Sequence, residues 1–239
     1  MRFPILIQPI LIGAAVVATL LLAPWRAHAT DDTDFLFRLG LLEGHLIIGG
    51  ELMDAGQSKL ALPHFGHPVR ELYDDIADYV VAHKLPSFEP ALIRLEAAVA
   101  AAPAAPATKA LFASTIATVH RARATAPAAL RASVPEMIRI CAAAIDAAAG
   151  EFGGALDRGR IDNIVEYHDS RGYIAYVAQE LDRIAASAPP AEQGLIARFR
   201  AVLVRAQWIV APLLPGQTPR AALTVYRQIA ADAATVAGP

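Results

Sequence analysis

Three of the seven histidines, His45, His64 and His67, fall within residues 44–75, beside Glu51, Glu71 and Asp74. Imidazole and carboxylate together suit a transition metal such as Zn, Cu, Ni or Fe. They are also the commonest acid and base groups in enzymes. His64, His67 and Glu71 stand at i, i+3 and i+7, a spacing that shares one face of a continuous helix. Pro68 interrupts that pattern, because proline inside a helix costs about 3 kcal/mol. The expectation is therefore that His64 precedes a turn, His67 lies at it, and Pro68 opens the next helix, with Glu71 converging on His67. The competing explanation is capping, since Glu71, Asp74 and Asp75 would sit where a helix dipole favours negative charge. His45 shares a helical face with Leu41, Leu42, Gly49 and Leu52 and so points inward, while Glu43 and Glu51 point elsewhere. Gly44, Gly49 and Gly50 each cost a helix about 1 kcal/mol, which makes sense if another helix or a ligand approaches the backbone closely.

A second polar concentration runs over residues 166–173, EYHDSRGY. His168 shares a face with Ile161, Ile164, Val165 and Gly172, again an inward position, and Glu166, Asp169, Ser170 and Tyr173 form the neighbouring ridge. Buried polar groups need partners, and the natural ones lie in the first segment. On a metal-binding reading His64, His67 and Glu71 are ligands, His45 and His168 are ligands or donors behind them, and Asp169 orients an imidazole. On the alternative reading these groups are an interhelix hydrogen-bond network in a helical scaffold or interaction protein. His83 and His120 read as solvated or dipole-satisfying residues. No nucleophile elbow, phosphate loop, dinucleotide fingerprint, H-E-x-x-H or haem-attachment motif is present, so no motif supports catalysis. The paired E-x-x-H signature of di-iron bundles is also missing.

The elements that must position these groups are helices. Alanine- and leucine-rich stretches carry charges at helical intervals with almost no alternating β-branched runs, which predicts an all-α antiparallel bundle. Proline and glycine divide it into eight or nine helices, at about residues 34–55, 57–65, 68–83, 88–100, 108–125, 136–157, 161–187, 192–210 and 220–234. Asp32 or Thr33 is the expected first cap. The run AAPAAPA at 101–107 is the best place for a linker or sub-boundary.

Residues 1–29 have the form of a secretory signal, with Arg2, an apolar run at 10–22 and an A-x-A site at Ala27-His28-Ala29. Cleavage after Ala29 would leave a periplasmic or secreted chain of about 210 residues, enough for one domain. An uncleaved leader would instead be a membrane anchor. The mature net charge is −4, from 19 basic and 23 acidic residues, which gives no reason to expect nucleic acid. Cys141 is the only cysteine, so no internal disulfide can form. The partners this composition allows are a metal ion, a small metal complex or another protein.

At the two polar segments the chain resembles the imelysin-like proteins and the related EfeO-type periplasmic iron-uptake components. The resemblance rests on HFGHPVRELYDDIAD at 64–78 and on Gly159-Arg160-Ile161 followed by Glu166-Tyr167-His168-Asp169. The hallmark G-x-H-x-x-E is not intact: Gly66-His67 is followed by Pro68, and Glu71 comes one position late. The resemblance implies an exported helical bundle for metal or haem uptake, with His67 and Glu71 nearest to the family's ligands.

Overall fold

A computed structural model describes residues 31–238; the leader at 1–29 lies outside the described residues. The first helix, α1 (Asp32–Asp54), is capped by Asp31, whose carboxylate accepts the Asp34 N–H at 2.7 Å. The cap is thus one residue earlier than expected. Phe35, Leu39, Leu42, Leu46 and Ile48 are all buried, as are Leu41 and the three central glycines, so α1 is covered around its whole circumference. A helix apolar on every side belongs at the centre of a bundle, and α1 packs against α2, α5, α7 and α8.

The helix α2 (Ser58–His67) follows after a turn at Gly56, whose φ of 73° requires glycine. Here the structure corrects the expected break. Pro68 does not separate two helices; the backbone continues through a single π-helical turn, Pro68–Leu72, into α3 (Tyr73–Ala82). The wider turn pairs the Tyr73 N–H with the Pro68 carbonyl, so the chain stays helical past a residue that has no N–H to give. His64 and His67 both lie in α2, ahead of that turn.

The chain then forms α4 (Glu89–Ala101), α5 (Pro106–Arg123), a short α6 (Ala128–Ala132) that the sequence reading leaves as a loop, and α7 (Val134–Gly154). The supposed linker is a tight turn of four residues, 102–105, closed by the Thr108 hydroxyl on the Ala102 carbonyl at 2.7 Å. Two-residue strands, β1 (Leu156–Asp157) and β2 (Arg160–Ile161), pair antiparallel. Arg158 and Gly159 both have positive φ, 46° and 78°, the backbone of a tight hairpin turn. This hairpin delivers the chain into α8 (Ile164–Ala185), capped by Asn163. α9 (Gln193–Ile209) and α10 (Leu223–Ala237) complete an all-α bundle in which those strands are the sole sheet among the described residues. No described helix is long and apolar enough to cross a membrane.

Helix α8 crosses α1 at a pair of glycines. A Cβ on Gly172 would lie 2.4 Å from the Gly44 carbonyl oxygen, and one on Gly44 would lie 2.8 Å from the Tyr173 ring. Gly49 meets Phe65 and Gly50 meets Phe112. The costly glycines of α1 are therefore explained by close packing. The Gly44–Gly172 contact also places His45 against Tyr173 and Asp169 on α8.

A candidate metal centre

Asp169 is the focus of the site. Its carboxylate is 3 % exposed, and its Oδ1 lies 2.7 Å from both His45 Nδ1 and His64 Nδ1 while its Oδ2 lies 3.2 Å from His67 Nδ1. α1 supplies His45, α2 supplies His64 and His67, and α8 supplies Asp169. One potential donor atom from each of the four residues falls within 4.8 Å of the others. Around a four-coordinate metal with bonds of about 2.0–2.1 Å, neighbouring donors are about 3.4 Å apart. The pocket is therefore of the right size, with its two shortest contacts opening by about 0.7 Å and its widest closing.

The hydrogen bonding is incomplete in a specific way. His64 Nδ1 is aligned with Asp169 Oδ1, which leaves His64 Nε2 buried without a partner. His45 Nδ1 and His67 Nδ1 approach the carboxylate without the alignment of a hydrogen bond. Five buried side-chain polar atoms among the described residues lack a hydrogen-bond partner, and four of them are imidazole nitrogens of His45, His64, His67 and His168. Buried polar atoms are almost always satisfied, so their concentration at one place marks a site rather than scattered packing faults.

The far side of the His45 ring is held. His45 Nε2 is 2.9 Å from the Tyr173 hydroxyl. A neutral His45 that donates this proton to Tyr173 presents its Nδ1 lone pair to the cavity, the arrangement that orients a metal-bound imidazole. Burial raises the Tyr173 pKa, keeping the phenol protonated. His168 donates from Nε2 to the Leu213 carbonyl at 2.8 Å, and its ring centroid is 5.5 Å from that of His64. Tyr167 bonds the Pro212 carbonyl, and Arg171 bonds those of Val210 and Ala211. His168 thus belongs to a strap fastening residues 210–213 to α8, with Nδ1 left toward the interior.

Electrostatics follow the geometry. Burial works to raise the Asp169 pKa, but the charge of His45 and the close approach of the His45, His64 and His67 nitrogens outweigh it and hold the carboxyl far below the usual range. Burial lowers the His64 pKa, overcoming the pull of Asp169. Burial likewise lowers His168, to about 4. His67 goes the other way, because its close contact with Asp169 raises its pKa against the effect of burial. Burial thus favours the neutral form of His64, the form in which an imidazole binds a cation.

Glu71 does not join the four-residue group. Its carboxylate is 58 % exposed, and its Oε1 is 3.8 Å from His67 Nε2 across the π turn. With His67 at 16 % exposure and His45 and His64 at 2 % or less, these two residues form the solvent side of the site and the route by which an ion would reach it. The six residues singled out from sequence therefore take different positions: four converge, His168 backs His64, and Glu71 stands outside. Asp169 is itself a potential donor to the ion as well as an orienting group.

Sequence reasoning missed Glu151, at the end of α7. Together with Glu166 and Asp169 it forms a second group whose oxygens lie within 4.8 Å of one another. Burial and the neighbouring Glu166 raise the Glu151 pKa well above the carboxylate norm. A signal was available, because Glu151 and Glu166 flank the Arg158-Gly159 turn almost symmetrically. His120, solvated at 54 % side-chain exposure as expected, also covers a buried carboxylate. Glu43 is buried at 6 % exposure, and His120 Nε2 reaches its Oε1 at 2.7 Å. Glu51 pairs with Arg171 at 2.9 Å. No protein-family model, curated protein or solved structure matches this chain.

Proposed function

We propose that this chain binds a first-row transition metal, of which Fe, Zn and Cu are the candidates, through His45, His64, His67 and Asp169, and serves metal uptake or handling outside the cytoplasm. The observation that carries the reading is the convergence of unpartnered, buried imidazole nitrogens on one ionised carboxylate. Three imidazoles and a carboxylate form a donor set that suits Zn, Cu and Fe. The signal-like leader and the resemblance to imelysin-like proteins support the placement in export and uptake.

The test is a thermal melt of chelator-stripped protein with and without Zn, Cu, Fe and a small complex such as haem. A ligand at about 100 times its Kd adds about 2.7 kcal/mol. For a chain of this size that is a shift of about 5–11 °C. His67→Ala should remove the shift while leaving the metal-free melt nearly unchanged, since His67 is the least buried of the three imidazoles. Absence of any shift in the wild type refutes the proposal.

A second reading has its own observation. The bonds from His45 to Tyr173 and from His168 to Leu213 join helices and a strap, as a purely structural network would. On that reading the protein is a helical scaffold, metal does not alter its melt, and His45→Ala and His168→Ala each cost about 1–3 kcal/mol by leaving a partner unpaired.

A further inference from the structure

The second group of carboxylates adjoins the first site through a shared residue. Asp169 belongs both to the set with His45, His64 and His67 and to the set with Glu151 and Glu166. We propose that the centre is dinuclear, with Asp169 bridging a histidine-rich ion and a second, carboxylate-bound ion held by Glu151 and Glu166. This inference rests on the metal-binding reading above and extends it to a second site.

Acidic side chains gathered together are not in themselves a site. What distinguishes this pair is the residue they share. His45 Nδ1, on a side chain 98 % buried, is aimed at the bridging carboxylate from 2.7 Å without a hydrogen bond, so Asp169 has unpartnered donors on one side and carboxylates on the other. The hairpin at residues 156–161 brings Glu151 from the last turns of α7 against Glu166 in the first turn of α8. Both side chains are partly buried. The nearest basic residue along α8, Arg171, is committed to Glu51 and to the carbonyls of Val210 and Ala211. Asn163 Nδ2 reaches Glu166 Oε1 at 3.5 Å, which brings no positive charge.

Both groups carry donors that an ion accepts, imidazoles and Asp169 on one side and Asp169, Glu151 and Glu166 on the other. Carboxylate bridging between closely spaced ions is a recurring arrangement in two-metal sites. The two halves also differ in preference. The imidazole-rich half selects Zn, Cu or Fe, and the all-oxygen half selects a harder ion such as Mn.

The experiment measures bound metal per chain. Chelator-stripped protein is equilibrated with Zn, with Mn and with both, desalted and analysed for metal content, and the Mn-loaded samples are examined by electron paramagnetic resonance. The wild type should hold two ions per chain, and in the sample given Mn alone the spectrum should be broadened by the bridged Mn neighbour. Glu151→Gln with Glu166→Gln should fall to one ion, keeping Zn affinity within about tenfold of wild type. His64→Ala with His67→Ala should lose the Zn. If the double glutamine variant fails to fold by circular dichroism, Glu166→Gln alone provides the comparison. One ion in the wild type, untouched by the glutamine substitutions and lost with the histidines, overturns the bridged centre and leaves the histidine site standing. No ion in any sample overturns both.

Discussion

Gly172→Ala tests whether the α1–α8 crossing sets the site. The new Cβ would lie 2.4 Å from the Gly44 carbonyl oxygen and 2.9 Å from Ile48 Cγ2. Real Cβ contacts are not found below 3.0 Å, so the helices must separate by at least about 0.6 Å at this point. The closest obstacle is backbone, which cannot rotate away. Overpacking of this kind costs about 3 kcal/mol at its upper end, offset by about 1 kcal/mol from replacing glycine in a helix. The net loss is about 2 kcal/mol, a fall in Tm of about 4–8 °C. Gly150→Ala is the control, because a Cβ there meets nothing within 4 Å and α7 should gain about 1 kcal/mol. The two identical substitutions should thus differ by about 3 kcal/mol in a urea titration with unchanged m-value. The same separation carries His45 away from Asp169. Metal–ligand distances tolerate only about 0.2 Å, so metal affinity in Gly172→Ala should drop by a factor of about 10–100. Equal stability for the two alanine variants, with metal affinity retained, would refute the claim that this crossing positions the centre.

Tyr173→Phe removes the hydroxyl that holds His45 Nε2; isothermal titration should show metal binding weakened about tenfold or more, and affinity equal to wild type would release Tyr173 from the orienting role. In the metal-free protein, acid should destabilise the fold through His168, whose folded pKa of about 4 lies below the ordinary 6.5. The unfolded chain binds the proton first, so this contribution is complete above about pH 6.5 and is lost between about 6.5 and 4, amounting to about 3 kcal/mol. His64, lowered by burial, acts in the same direction, and His67, raised by Asp169, opposes it. Stability measured against pH in wild type and His168→Gln should converge on acidification; parallel curves would contradict the assignment.

The amino-acid sequence by itself determined the helical class and the two segments that meet. Composition and the proline and glycine positions specify local backbone preference, and imidazoles on apolar faces of α1 and α8 point inward whatever lies opposite. Even the glycines at 44, 49 and 50 signalled locally that a helix or a ligand approaches the backbone, and the structure places packed side chains and the α8 backbone there. The tertiary structure decided the rest. Whether Pro68 breaks a helix depends on what the turn can pair, and the π turn, packed against α1, carries the chain from α2 with its two histidines straight on into α3. Glu151 has no motif and gains its meaning only when the hairpin folds α7 against α8. The same is true of Asp169: its place between three imidazoles and two glutamates depends on histidines more than 100 residues away in covalent order on one side and on Glu151 across the hairpin on the other, spans over which chain closure, rather than local propensity, sets what meets. Spacing along one helix reveals a shared face, but which carboxylate fills the gap between two helices is a property of their crossing.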